Sequence, residues 1–308
     1  MVVAVWAVVA ASSACGHAAP AGPPFWPGSQ TAATAGASAS PAAGKGPVAH
    51  IVVIVMENHE YGSIIGSPSA PYLNGLARRS ALLTGYDAIT HPSLPNYVAM
   101  LAGGTYAIHS DCFSCMVTAR NLVDQVEVAH VSWKAYMESM PKACYWGDAY
   151  PYAQKHNPFI HMSDVRNNGR RCAKIVPFTQ LGTDERRNTL PQFAFITPNL
   201  CHDMHDCSVK TGDDWLSTVI PSLLPHLGTN GIVIITFDEG TTDAGCCYYA
   251  AGGHVVTVIA GPGARRGVQL NGAADHYSLL RLIEGNWSLR RLRHAGCGCT
   301  PAITGWRA

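Results

Sequence analysis

Glu57-Asn58 and Asp238-Glu239 are two short pairs of metal-competent side chains, and each directly follows an apolar run. Glu57 and Asn58 come after Ile51–Met56 (IVVIVM), and Asp238 and Glu239 come after Gly231–Phe237 (GIVIITF). A third polar group, Asn199, His202, Asp203, His205 and Asp206, follows Phe193–Thr197 (FAFIT). Any one such group reads as the start of a loop. Three together read as a site, because adjacent carboxylates repel unless a proton or a cation lies between them. A divalent cation held by Glu57, Asn58, Asp238 and Glu239 is the economical explanation. Oxygen donors suit calcium or magnesium, and added imidazoles move the choice toward manganese, iron or zinc.

The segment Thr90-His-Pro-Ser93-Leu-Pro-Asn96-Tyr97 supplies a nucleophile. Pro95 is tolerated in a helix only in the first turn, so a helix must begin near Ser93 or Leu94. Ser93 is then predicted to be the N-cap, a position that serine favours for its own sake. The same geometry suits chemistry. A helix N-terminus presents free N–H groups to a phosphoryl oxygen, and a serine touching a metal ion there is activated for attack. Asn96 and the first-turn N–H groups are expected to hold the non-bridging oxygens. His91 is a candidate phosphate contact. His276 opens the run DHYSLLRLIE, and His254 follows two glycines; a lone histidine in either place is as often structural as a ligand.

The elements that must position these residues follow from periodicity. Continuous β-branched runs at Ile51–Met56, Gly231–Phe237 and Val255–Ala260 fit strands buried on both faces. Phe193–Thr197 and Val131–Tyr136 add two more, and helices are predicted at Pro71–Arg79, Leu94–Ala102, Asp213–Leu227 and Asp275–Trp287. The alternation predicts an α/β domain of three layers. In such sheets the site lies beyond the carboxyl ends of the strands, where the polar groups fall.

Taken in order, five segments resemble a known family. They are Val55-Met-Glu57-Asn58-His-Glu-Tyr61, the Thr90–Tyr97 segment, Pro198-Asn199 with Asp203-Met-His205-Asp206, Thr236-Phe-Asp238-Glu239-Gly240, and His276-Tyr-Ser-Leu-Leu. Together they resemble the bacterial phosphoesterase family that includes non-haemolytic phospholipase C and metal-dependent acid phosphatases, within the alkaline-phosphatase-like superfamily. The similarity runs from about His50 to Glu284 and is nearest the secreted actinobacterial branch acting on phosphatidylinositol 3-phosphate.

The resemblance implies a three-layer α/β domain with a central, mostly parallel sheet. It implies metal contacts at Glu57, Asn58, Ser93, Asp238 and Glu239, with Ser93 as the nucleophile of a [Ser/Thr]-x-Pro-Asn pattern. It places His205 and His276 at the phosphate or metal, and it implies a phosphate monoester or phosphoinositide substrate. His59-Glu60-Tyr61-Gly62 stands where phospholipase members carry Arg-Ser-Phe-Asp, and Tyr97 where they carry Arg. Both departures point to the phosphatase branch, with a phospholipase C-type phosphodiesterase as the alternative. A sulfatase is disfavoured because Ser93-Leu-Pro-Asn-Tyr lacks the arginine of Cys/Ser-x-Pro-x-Arg. A non-catalytic protein on the same fold would be free to lose Ser93 or the acidic pair, and this chain keeps both.

Bulk properties set the context. A net charge of +1 offers no field for nucleic acid. The apolar Val2–Ala11 run, followed by Ser12, Ser13 and Ala14, reads as a secretory signal over 1–15. Cys15 stands where a lipoprotein carries its lipidated cysteine, which would tether the chain to a membrane. Setting Cys15 aside leaves ten cysteines, an even number that suits disulfides in an oxidising compartment. Residues 16–48 are rich in Ala, Gly, Pro and Ser and read as a linker, leaving a phosphoesterase domain at 49–308, secreted or held at the cell surface.

Overall fold

The computed structural model describes residues 46–308. The signal at 1–15, Cys15 and nearly all of the 16–48 linker lie outside the described residues. The described residues form one compact unit, Gly46 to Ala308. Val48 is buried in it, and its N–H donates to Asn286 Oδ1 at 2.8 Å.

The apolar run Ile51–Met56 is strand β1, buried at every residue. It pairs in parallel with β5 (Phe193–Thr197) on one side and β6 (Ile232–Phe237) on the other. The remaining strands are β2 (Ala81–Asp87), β3 (Trp133–Met137), β4 (Ile175–Pro177), β7 (Thr257–Ala260) and β8 (Val268–Asp275). They form one eight-stranded sheet in the order β4-β3-β5-β1-β6-β7-β2-β8. Among the described residues β7 alone runs against its neighbours.

The five predicted strands are present, with ends shifted by up to two residues. Strands β2, β4 and β8 have no sequence signature of their own. β4 is only three residues long. β8 is an edge strand, largely exposed, whose Asn271-Gly272 reads as a turn. Thr84-Gly85 interrupts β2 at the point where its register with β8 shifts. β7 lies antiparallel yet shares the apolar character of the parallel strands, because it too is buried at every residue, whatever its direction.

Helices cover both faces. The connection from β1 rightward to β2 carries Pro71–Arg79, and the one from β2 leftward to β3 carries Ser93–Ala102. Right-handed crossovers in opposite directions put those helices on opposite faces. Val209–Leu223 packs on the first, and His276–Asn286 on the second. The Pro71–Arg79 helix has Ala70 at its N-cap, which has no capping oxygen. Buried Asp213, from Val209–Leu223, takes over: its carboxylate accepts from Tyr72 N at 2.9 Å and Leu73 N at 2.8 Å. Asp213→Ala is therefore expected to cost about 1–3 kcal/mol, read as a lower urea midpoint; an unchanged midpoint would show that water replaces the cap.

Candidate active site

Seven strands point their carboxyl ends to one edge, and the polar residues gather there. The Ser93–Ala102 helix begins with Ser93 itself, and Pro92 is the N-cap, with no side-chain capping bond. The expected capping role of Ser93 is thus corrected: its Oγ lies 3.1 Å from Glu57 Oε2 and 3.2 Å from Glu239 Oε1. Pro95 falls in the first turn, as its missing N–H requires. A hydroxyl has one hydrogen and can satisfy only one of these two carboxylates. The other contact is oxygen against oxygen and needs a proton or a cation.

Glu57 is fully buried at the end of β1. Its Oε1 accepts from the Tyr97 hydroxyl, so the residue that replaces the phospholipase arginine is part of the site. Its Oε2 also lies 3.2 Å from His156 Nε2, and His156 Nδ1 lies 3.3 Å from Asp203 Oδ2. Glu57, His156 and Asp203 offer ligand atoms all within 4.8 Å of one another. Asp238, at the end of β6, accepts through Oδ1 from Asn58 N at 3.2 Å and Glu239 N at 2.6 Å. Asn58 holds a left-handed backbone (φ 49°), which asparagine tolerates better than most residues.

The loop carrying Asp203 and His205 is closed by the Cys201–Cys207 disulfide. It lies so close to the Val209–Leu223 helix that a Cβ at Gly212 would come 2.4 Å from Met204 Cγ. His205 Nδ1 bonds Asp206 at 2.6 Å, and its Nε2 lies 3.3 Å from Lys155 Nζ. Lys155 also bonds Asp111 Oδ2 at 3.0 Å, and Asp111 Oδ1 accepts from Leu94 N at 2.9 Å. That first-turn N–H, expected to face a phosphoryl oxygen, is therefore engaged by Asp111. His91 bonds Glu239 and the Thr242 carbonyl.

Two expected contacts lie elsewhere. Buried Asn96 accepts from Ile89 N and Thr90 N through Oδ1 and donates to Thr90 O and Pro92 O through Nδ2. Its hydrogen-bonding capacity is spent on the loop before Ser93. His276 is fully buried, with Nδ1 2.9 Å from the Tyr86 hydroxyl and Nε2 2.6 Å from the Asp238 carbonyl. Neither ring nitrogen is left for a phosphate. His202 bonds Glu138, and His254 stacks on Tyr61 and bonds the Thr84 carbonyl. Sequence reasoning passed over His156, Lys155, Asp111 and Tyr97 as site residues. His156 sits in the one-turn Gln154–His156 segment, away from the strand ends that guided the choice of site residues.

Four carboxylates converge here with little positive charge. Burial, then the charges of Asp238 and Asp203, hold the Glu57 carboxyl well above its ordinary range. Burial, then the charge of Glu239, pushes Asp238 up to about 7. Burial raises Asp203 to about 7 as well, and it keeps His156 neutral by pushing its pKa far down. Four buried polar atoms of this cluster have no hydrogen-bond partner: Asn58 Oδ1, His156 Nε2, Asp203 Oδ2 and Asp238 Oδ2. His156 Nε2 is near Glu57 Oε2, and Asp203 Oδ2 is near His156 Nδ1, but neither pair is aligned for a bond. Orphans of this kind are costly, and carboxylate, amide and imidazole donors together fit a divalent cation.

The profile of the Phosphoesterase family matches residues 67–290. The chain belongs to that family. A probable acid phosphatase of Kluyveromyces lactis is 35% identical over 259 residues, covering 79% of this chain and 59% of that protein. A phosphate-repressible acid phosphatase of Penicillium chrysogenum is 33% identical, covering 73% of this chain and 56% of its own length. The chain thus spans under three fifths of these fungal relatives. The phosphatidylinositol-3-phosphatase of Mycobacterium tuberculosis is 31% identical, covering 80% of this chain and 79% of that one. Among solved structures, an alkaline phosphatase superfamily protein of Vibrio parahaemolyticus aligns with TM-score 0.54 at 14% identity, over 82% of this chain and 71% of that one. Murine ectonucleotide pyrophosphatase/phosphodiesterase 5 aligns at 0.55 and 11%, over 82% and 98%. These likenesses show that the chain shares the fold of alkaline phosphatase superfamily proteins.

A cation entering the site must displace the protons that burial and crowding hold on Asp238 and Asp203. Both titrate near pH 7 in the metal-free protein, so affinity should fall as pH drops through 7. Calorimetric titration of the stripped protein with manganese or zinc should show binding at least about tenfold weaker at pH 6 than at pH 8, with proton release at the lower pH. Equal affinity at both pH values would count against this reading.

Proposed function

We propose that this phosphoesterase is an exported, divalent-metal-dependent phosphomonoesterase of the acid phosphatase or phosphatidylinositol-3-phosphatase type, acting through a phosphoserine at Ser93. One observation carries the reading: Ser93 Oγ opens a helix between Glu57 and Glu239 instead of capping that helix. The fungal and mycobacterial relatives support the reaction class, and the five disulfides of the described chain suit an oxidising compartment.

Glu57, Asn58, Asp238 and Glu239 would hold the metal with Ser93, and His156 and Asp203 extend the donor set. A bound divalent cation supplies the positive charge that lowers the serine pKa and offsets the phosphoryl oxygens. Ser93 passes its proton to Glu57 or Glu239 and attacks phosphorus in line. The bond to the alcohol oxygen breaks, and that oxygen takes a proton from the Lys155–His205 pair. Lys155 is charged at rest and so has the proton to give: burial opposes its charge, but the bond to Asp111 and the nearby carboxylates outweigh burial. Water then attacks the phosphoserine and gives a proton back to the Lys155–His205 pair, and Ser93 recovers its own proton from Glu57 or Glu239 as phosphate leaves. Asn96 and His276 are positioning residues. Asn96 holds the turn before Ser93, and His276 holds the Asp238 backbone from behind.

Ser93→Ala is expected to lower kcat on p-nitrophenyl phosphate by about a thousandfold or more, with unchanged cation content and circular dichroism. Acid quenching of the wild type with radiolabelled substrate should trap label on Ser93. Retained turnover in the variant would remove the nucleophile assignment. A rate on bis(p-nitrophenyl) phosphate above that on the monoester would favour a phospholipase C-type phosphodiesterase.

A further inference from the structure

A cavity of about 400 Å³ opens at the amino ends of the parallel strands. Ala260, the last residue of β7, lines it and pairs with Val233, the second residue of β6. Asp238 follows the far end of β6, about 16 Å along the strand at about 3.3 Å per residue. The cavity is therefore separate from the catalytic edge.

Its rim is positive. Arg79, Arg265 and Arg266 line it, all three are exposed, and no carboxylate shares the lining. Arg79 lies over the Tyr72 ring at 5.4 Å, and Arg265 Nη1 donates to the Gly305 carbonyl at 3.3 Å. The Arg266 side chain has no hydrogen bond or ion pair among the described residues. The whole chain is balanced, with 21 Lys and Arg against 20 Asp and Glu, so an edge of one sign is a local departure. Arg79 ends the Pro71–Arg79 helix, where a cation offsets the helix dipole. Arg265 and Arg266 lie between β7 and β8, at no helix end, and have no such role.

Inside the rim the lining is apolar. Leu224, Gly261 and Pro262 line the cavity with part of their surface still accessible. The large apolar side chains that are exposed, Phe113, Val128, Trp146, Tyr150 and Tyr248, lie elsewhere. No such side chain stands here to enter a bilayer, so a partner's apolar part has to enter the protein.

We propose that this cavity binds a small amphipathic anion, an acidic group carried on a short alkyl or aryl body. The proposal does not depend on the chemistry at Ser93. Guanidinium groups present a planar fork that matches a carboxylate or phosphate, and they shed water more readily than ammonium. A positive rim rejects a neutral ligand, and an apolar interior gives nothing to inorganic phosphate. The volume falls within the range of ligand cavities, about 300–1,000 Å³.

The test titrates the whole protein with octanoate by calorimetry. A carboxylate is not cleaved, so binding is read without turnover. Octanoate should bind saturably, one per chain. Acetate carries the charge without the body, and octanol the body without the charge; each should bind at least about tenfold weaker. Arg266→Gln removes a side chain with no bond to the fold, and Arg79→Gln with it removes a second guanidinium. The double variant should bind octanoate at least about tenfold more weakly, with p-nitrophenyl phosphate turnover and Tm unchanged. Unchanged octanoate affinity in the double variant would overturn the proposal, as would acetate or octanol binding as tightly as octanoate. No saturable binding of octanoate or of phenylacetate, the aryl counterpart, would overturn it too. Octanoate that inhibits turnover competitively and survives both substitutions would be sitting at the catalytic edge, against the proposal. Sedimentation with phosphatidylglycerol vesicles in the absence of octanoate binding would make the arginines a membrane contact instead.

Discussion

Crowding of buried negative charge at the carboxyl edge of the sheet is the constraint on which this protein depends. Glu57, Asp203, Asp238 and Glu239 come from three strand ends, and all are buried. Two full charges about 4 Å apart repel by about 4 kcal/mol even at an effective dielectric near 20. Several such pairs would rival a whole domain's stability of about 5–15 kcal/mol. The metal-free protein answers by keeping protons on Asp203 and Asp238 near neutrality. A divalent cation answers the same problem without protons, and the four unpartnered buried atoms are the donors it would meet.

The surrounding fold serves to hold that arrangement. Glu57 is fixed by the end of β1 and by the Tyr97 hydroxyl, and Asp238 by the Asn58 and Glu239 backbones. Behind them His276 grips the Asp238 carbonyl, and Asn96 spends both ends of its amide on the turn that delivers Ser93. These two residues do for the backbone what a direct ligand does for a substrate. That explains why they sit in the motifs although their own polar atoms are already engaged within the protein.

The legible parts of this chain are those where burial writes a pattern. The doubly buried strands β1, β5 and β6 are unbroken apolar runs, and the acids that end them were readable for that reason. Pro95 marked the start of the Ser93 helix within a residue. β8 hid because an exposed edge strand needs no apolar alternation, and Asn271-Gly272 looks like a turn. His156 and Lys155 hid because they reach the site from a one-turn segment between elements, so their place depends on tertiary packing. The direction of β7 was unreadable, since a strand buried on both faces has the same composition either way.

The five disulfides share one property, which is that they are local. Four join cysteines no more than six residues apart, and the fifth spans 28. Short loops give little entropic stabilisation to the whole fold, because the unfolded chain already keeps such partners close. None ties one distant part of the sheet to another. Each works as a clasp on one surface loop, most clearly at Cys201–Cys207, which frames Asp203 and His205. Reduction would therefore loosen the rim of the site while the sheet beneath stayed assembled. It would act on the precision of the active edge, and the architecture would stand without it.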